Sequence, residues 1–130
     1  AKGPVHAVEG DGPALAALSR AARRRAPGAA ALTTACRDLQ TDPLTASELA
    51  AYDSLVVDPP RAGARAQTAE IAAAGPPRVA LVSCNPATFA RDARLLLATG
   101  YRCAWVQPID QFLWSPHLEL VAAFHLGAPR

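Results

Sequence analysis

Cys84 lies in Val82-Ser83-Cys84-Asn85-Pro86, where an apolar run stops at a thiol and a helix is set to begin at once. Asparagine accepts from the orphan N–H groups of a first helical turn, and proline lacks the N–H that would go unused there. The cysteine is thus expected at the carboxyl end of a strand, facing a helix N-terminus whose partial positive charge favours thiolate. In open α/β sheets that edge is also where ligands bind. A thiolate so placed is suited to covalent attack on a substrate carbon. A free cysteine more often packs as a small buried hydrophobe, and the local geometry leaves both readings open.

Four carboxylates and one arginine fall at comparable places. Glu9 ends a short apolar strand before Gly10-Asp11-Gly12-Pro13, the usual place to grip the two ribose hydroxyls of a nucleotide-like ligand. Asp38 follows Cys36-Arg37 at the end of a second strand, where it could accept from an adenine amino group. Asp58 precedes Pro59-Pro60-Arg61. Successive prolines cannot continue a ladder, so the strand must stop there, leaving Asp58 at its tip and a stiff loop that can hold a carboxylate and Arg61 against a flat ligand. Glu119 is an isolated acid in an otherwise apolar strand; a desolvated carboxylate is suited to proton transfer near neutrality. Each position also has a plainer reading: a solvated loop for Glu9, a rigid turn for 58–61, and a strand-end glutamate reaching solvent for Glu119.

The elements that must position these residues alternate between strand and helix, which makes an α/β fold. Strands are expected at residues 5–9, 29–35, 54–57, 78–82, 101–108 and 117–126. The first helix carries Leu15, Leu18 and Ala22 on one stripe, with Arg20, Arg23, Arg24 and Arg25 solvated. A short helix starts near Ser47, and another spans 67–74 until Gly75-Pro76-Pro77 stops it. The helix after Cys84 is expected to turn Phe89, Ala93, Leu96 and Leu97 to the core and to end at Gly100. In the last strand His117, Glu119, Val121 and Ala123 share one face, with Leu118, Leu120, Ala122 and Phe124 on the other. The loop before it holds Phe112 and Trp114, aromatics that can stack on a base or cover the core's edge.

Composition bounds the rest. The chain has 130 residues, one domain large enough to bury a core. A net charge of +2 neither announces nor excludes a nucleic-acid partner. Three dispersed cysteines (36, 84 and 103) form neither a disulfide framework nor a metal-ligand pair, so no metal is expected. No apolar run reaches membrane-span length and no leader is recognised, so a cytoplasmic protein without membrane association is expected. Neither GxGxxG nor a P-loop occurs. The chain opens on Ala1-Lys2-Gly3-Pro4 and enters a strand almost at once, which reads as a piece of a longer protein.

Three stretches together carry a resemblance: DPPRAG at 58–63, SCNPATFARD at 83–92 and DQFLWSPHLE at 110–119. The chain resembles, over nearly its whole length, the RNA 5-methyluridine (uracil-C5) methyltransferase family, S-adenosylmethionine-dependent enzymes that methylate uracil in tRNA or rRNA. The resemblance implies a Rossmann-like class I methyltransferase fold, with a mostly parallel sheet and a C-terminal antiparallel strand. Residues 1–130 would be the carboxyl-terminal part of the methyltransferase domain. It implies that a cysteine thiolate adds to uracil C6, that C5 then takes up the methyl group, and that a base removes the C5 proton before the thiolate leaves. By the same resemblance Cys84 is the nucleophile and Glu119 the base. Asp58 stands where cofactor meets target base, Glu9 and Asp38 hold the cofactor's ribose and adenine, and Arg61 orients the Asp58 loop or meets a phosphate.

The chain departs from the family in two ways. Phe112-Leu113 stands where Phe-Pro is common. The family's first strand and glycine-rich turn, which should precede Val5, are not found, nor are upstream RNA-binding or cysteine-rich iron–sulfur segments. The fold is therefore expected to be incomplete, with a central strand missing between strands 5–9 and 54–57. Shifted pairing, strand exchange or homodimerisation would close that gap, and the chain alone is not expected to be catalytically competent. Two rivals remain: a nucleic-acid amino (N-) methyltransferase, suggested by the aspartate-proline-proline loop, and a non-catalytic α/β module that binds a nucleotide or partner. Amino methylation needs no thiolate, so SCNP with a distant glutamate argues against the first.

Overall fold

The computed structural model describes residues 3–24, 28–110, 114–115 and 117–127. The chain divides into two compact units, residues 1–43 and 44–130.

The first unit is a β-α-β turn. Strand β1 (Val5–Glu9) leads through an Asp11 cap into α1 (Gly12–Ala22), and β2 (Leu32–Cys36) returns parallel to β1. The Asp11 carboxylate accepts from the Ala14 N–H at 2.9 Å, meeting one of the donors a helix start leaves free. Of the expected apolar stripe, Leu15 is buried while Leu18 stays exposed; Arg25 lies outside the described residues. Strand β2 starts three residues later than position 29: Gly28 takes a left-handed φ of 83°, and the register with β1 begins at Leu32, just after the Ala31 carbonyl accepts from the Val5 N–H at 2.8 Å.

The second unit has α2 (Ala46–Leu49), β3 (Ser54–Val57), α3 (Arg65–Ala74), β4 (Arg78–Ser83), α4 (Pro86–Ala98), β5 (Tyr101–Ile109) and β6 (Glu119–Leu126). Its sheet order is β3-β4-β6-β5. Strands β3 and β4 are parallel, and β6 lies between β4 and β5, antiparallel to both. Three strands therefore run one way and the last in sequence runs against them, the mixed Rossmann-like pattern expected. Among the described residues, β1 pairs only with β2 and β3 only with β4, in two separate sheets.

The core lies on one side of the larger sheet. Val79 and Leu81 of β4, with Ala122 and Phe124 of β6, pack against Ile71 of α3, Ala93 and Leu96 of α4, Leu49 and Tyr101. The alternation read in the last strand holds: Ala122 and Phe124 are buried, and Val121 and Ala123 occupy the other face. One expectation needs correcting. Leu97 is 48% exposed, because at 100° per residue it turns past the stripe formed by Ala93 and Leu96.

Candidate active site

Three strand ends meet at one edge of the larger sheet. Val57 of β3 pairs with Leu81, so Asp58 stands one residue past a strand end, and Cys84 stands one residue past the end of β4. Across the antiparallel boundary Val82 pairs with Val121 and Ser83 with Leu120. One further step of that register sets Glu119 opposite Cys84. Glu119 also pairs with Ile109, the last residue of β5. The ladder thus gathers Asp58, Cys84 and Glu119 along a single edge. Cys84 and Glu119 are both partly buried, and Asp58 is exposed. The desolvated setting foreseen for Glu119 gives way to a strand-end one, because Glu119 is the first residue of β6.

The backbone around Cys84 is held from both sides. The buried Ser83 hydroxyl accepts from the Asn85 N–H at 3.2 Å and donates to the Asn85 carbonyl at 3.1 Å. Asn85 is the N-cap of α4, accepting from the Ala87 N–H at 3.0 Å, with Pro86 in the first turn. The cysteine is therefore a one-residue step between a buried strand and a capped helix, as its sequence implied.

The loop after Asp58 is bound to that same helix. The Arg61 carbonyl accepts from Asn85 Nδ2 and from Thr88 Oγ1, each at 3.2 Å, and the Ala62 carbonyl accepts from Arg91 Nη2 at 3.0 Å. Asp92, only 4% exposed, accepts from the Ala64 N–H at 2.7 Å and from Arg91 Nε at 2.8 Å. Ala64 is the N-cap of α3 and has no side chain able to cap it, so Asp92 supplies the negative charge that a helix start attracts. Gly63 has φ of 78°, and a Cβ there would fall 2.5 Å from Arg91 Nη2 and 2.6 Å from Asp92 Oδ2. Arg61 itself is exposed, and among the described residues its guanidinium has no hydrogen-bond or ion-pair partner.

In the first unit Glu9 and Asp38 share a sheet edge. Glu9 pairs with Cys36, and a Cβ on Gly10 would lie 3.6 Å from the Asp38 Cα, so the turn after β1 touches the chain at Asp38. Glu9 Oε1 accepts from the Asp11 N–H at 3.0 Å and Asp38 Oδ1 from the Gln40 N–H at 2.9 Å. Each exposed carboxylate has a second oxygen able to accept from another donor. Arg37 fixes the loop that follows, donating to Asp42 Oδ1 at 3.0 Å and to the Pro43 carbonyl at 2.7 Å. Of the loop aromatics, Trp114 is fully exposed with φ of 62°; Phe112 and Leu113 lie outside the described residues.

The sequence pattern that defines the tRNA (Uracil-5-)-methyltransferase family matches residues 31–124. The chain belongs to that family. The chain is 57% identical, over all of its 130 residues, to an uncharacterised RNA methyltransferase of Mesorhizobium japonicum. It spans 31% of that relative's length. It is 48% identical over 73 residues, 56% of this chain and 16% of the relative, to the 23S rRNA (uracil(1939)-C(5))-methyltransferase RlmD of Yersinia enterocolitica. Among solved structures it resembles the Pyrococcus abyssi tRNA (uracil-54, C5)-methyltransferase in complex with S-adenosyl-L-homocysteine. That similarity has a TM-score of 0.72 and 28% identity, and covers 93% of this chain and 28% of the other. A putative methyltransferase of Thermoplasma acidophilum, 14% identical with a TM-score of 0.66, shares the fold.

Gly63, Ser83, Thr88, Arg91 and Asp92 shape the site as well, beyond the residues expected from the sequence. A signal was present: an arginine-aspartate pair on a helix otherwise lined by Ala93 and Leu96 puts a charge at a core position. No helix among the described residues is long and apolar enough to cross a membrane.

Proposed function

We propose that the protein transfers a methyl group to C5 of a uridine in tRNA or rRNA through a covalent adduct on Cys84. The observation that carries this reading is the β4–β6 register, which puts a thiol and a carboxylate at adjacent strand ends. Cys84 attacks C6 of the uracil, leaving C5 electron-rich. S-adenosylmethionine, when bound, supplies the electrophilic methyl that C5 takes up. Glu119 then accepts the C5 proton, and its partial exposure gives that proton a path to water. Elimination of the Cys84 sulfur restores the ring. Asp58 lies where cofactor and uracil meet, and Arg61, exposed on a fixed loop, takes a phosphate of the RNA. Glu9 and Asp38 hold the cofactor's ribose and adenine, for which their open carboxylate oxygens fit. The compartment is the cytoplasm, where tRNA and rRNA are modified. The outer edges of β1 and β3 take up a further strand, from the complete polypeptide or by exchange or dimerisation with a second copy.

The test uses the complete protein with S-adenosylmethionine and bacterial tRNA or 23S rRNA carrying 5-fluorouridine. Fluorine cannot leave C5 as a proton, so an adduct on Cys84 accumulates and is read by mass spectrometry. An adduct absent in Cys84→Ala supports the reading. Methylation that persists in Cys84→Ala without any adduct would transfer the case to an amino methyltransferase. With neither methylation nor adduct on either RNA, a non-catalytic nucleotide-binding module is the better description.

A further inference from the structure

We propose that Asp92 and Arg91 form a positioning pair that sets the 58–64 loop, and with it Asp58 and Arg61, against Cys84. The proposal rests on the uracil-C5 reading above. A carboxylate that is 4% exposed at a core-facing position of α4 is costly to hold there, and an apolar side chain of similar size would pack more cheaply. Its partners show what it holds. Asp92 takes the Ala64 N–H at 2.7 Å and the Arg91 guanidinium at 2.8 Å, while Arg91 reaches the Ala62 carbonyl at 3.0 Å. Asn85 and Thr88 take the Arg61 carbonyl from the same helix. Residues 61, 62 and 64 are therefore all tied to α4, and the Gly63 between them has no room for a side chain.

The helix that ties the loop is the helix that Cys84 precedes by two residues. Nucleophile and loop thus ride on one rigid element, and their mutual placement does not depend on the flexibility of either strand end. Arg61 gains most. Both hydrogen bonds to its carbonyl hold its backbone, so the point from which the exposed side chain leaves the loop is set by groups that side chain does not touch. A misplacement of about 1 Å in such an arrangement costs on the order of 10²-fold in rate.

The experiment measures methyl transfer in the complete protein at saturating RNA and S-adenosylmethionine. Each rate is divided by the fraction of molecules able to form the 5-fluorouridine adduct. Asp92→Ala should lower the rate per competent site about 10²-fold, with the RNA KM moving less than about threefold. Arg91→Lys, which keeps a cation beside Asp92, should recover most of the wild-type rate. If Asp92→Ala does not fold, Arg91→Ala carries the test. It leaves the Asp92–Ala64 bond in place and should cost about tenfold per competent site. Variants with fewer competent sites or a lower melting temperature, but an unchanged rate per site, would overturn the positioning role and leave the uracil-C5 reading intact. A wild-type protein with neither adduct nor methylation would remove the functional reading itself, and this role with it.

Discussion

Ser83 of β4 stands directly across from Leu120 of β6, with Cys84 the next residue after the one and Glu119 the residue before the other. On the proposed mechanism Cys84 holds C6 of the uracil while Glu119 takes the proton from C5. Glu119→Gln should therefore leave attack and methyl uptake intact while blocking loss of the C5 proton. The expected outcome is a covalent, methylated adduct on ordinary uridine RNA, with turnover slowed about 10²–10⁴-fold. Denaturing gel electrophoresis with mass spectrometry reads it, and full turnover in Glu119→Gln would exclude Glu119 as the base.

The packing of Gly63 makes a separate prediction, on stability. Gly63→Ala puts a methyl group into Arg91 and Asp92 and asks alanine to hold φ of 78°. The cost should be about 1–3 kcal/mol for the backbone conformation alone, seen as a lowered denaturant midpoint. Gly100→Ala, with φ of 98° and nothing within 4 Å of the added carbon, separates the two contributions, because it pays for the conformation without the clash.

Tyr101 is 3% exposed and donates to the Pro76 carbonyl at 2.8 Å. Burial raises its pKa above the ordinary value of 10.0. The folded state therefore prefers the neutral phenol, and the unfolded state ionises first as pH rises. Stability from this group is fully present below pH 10 and is lost as pH climbs through the raised folded value. Tyr101→Phe should cost about 1–3 kcal/mol near neutrality by leaving the Pro76 carbonyl unpaired. Urea titrations should show the gap between wild type and Tyr101→Phe constant up to about pH 9 and shrinking above pH 10; a gap that widens there would contradict the burial.

Adjacent leucines on α4 give an internal control. Leu96 is fully buried and Leu97 is 48% exposed. Leu96→Ala should destabilise by about 2–5 kcal/mol, while Leu97→Ala should stay within about 0.5 kcal/mol. Equal losses at the two positions would mean that α4 is rotated from the orientation described.

What the sequence disclosed were the features set by neighbours along the chain. Asn85-Pro86 announces a helix start, Asp58-Pro59-Pro60 announces a strand end, and the β6 alternation announces its two faces; all three hold. What it concealed depends on segments far apart. Nothing in residues 58–64 says that an aspartate 28 positions beyond Ala64 will cap the next helix. That β6 enters between β4 and β5 follows from competition among strand edges, which no local pattern records. Leu97 lies at the margin of its apolar stripe, and such a stripe does not reveal how wide the partner surface is. Whether Glu119 is an interior or a strand-end acid turns on where β6 begins, and it begins at Glu119 rather than at 117.

The place of β6 also orders events in time. It is translated after β5, yet it occupies the position between β4 and β5, so β5 has no neighbour in this sheet until β6 arrives. A nascent chain halted after Ile109 would carry Cys84 without Glu119 and leave the hydrogen-bonding edges of both β4 and β5 open. The central gap of this sheet is thus filled last, by the strand that carries Glu119.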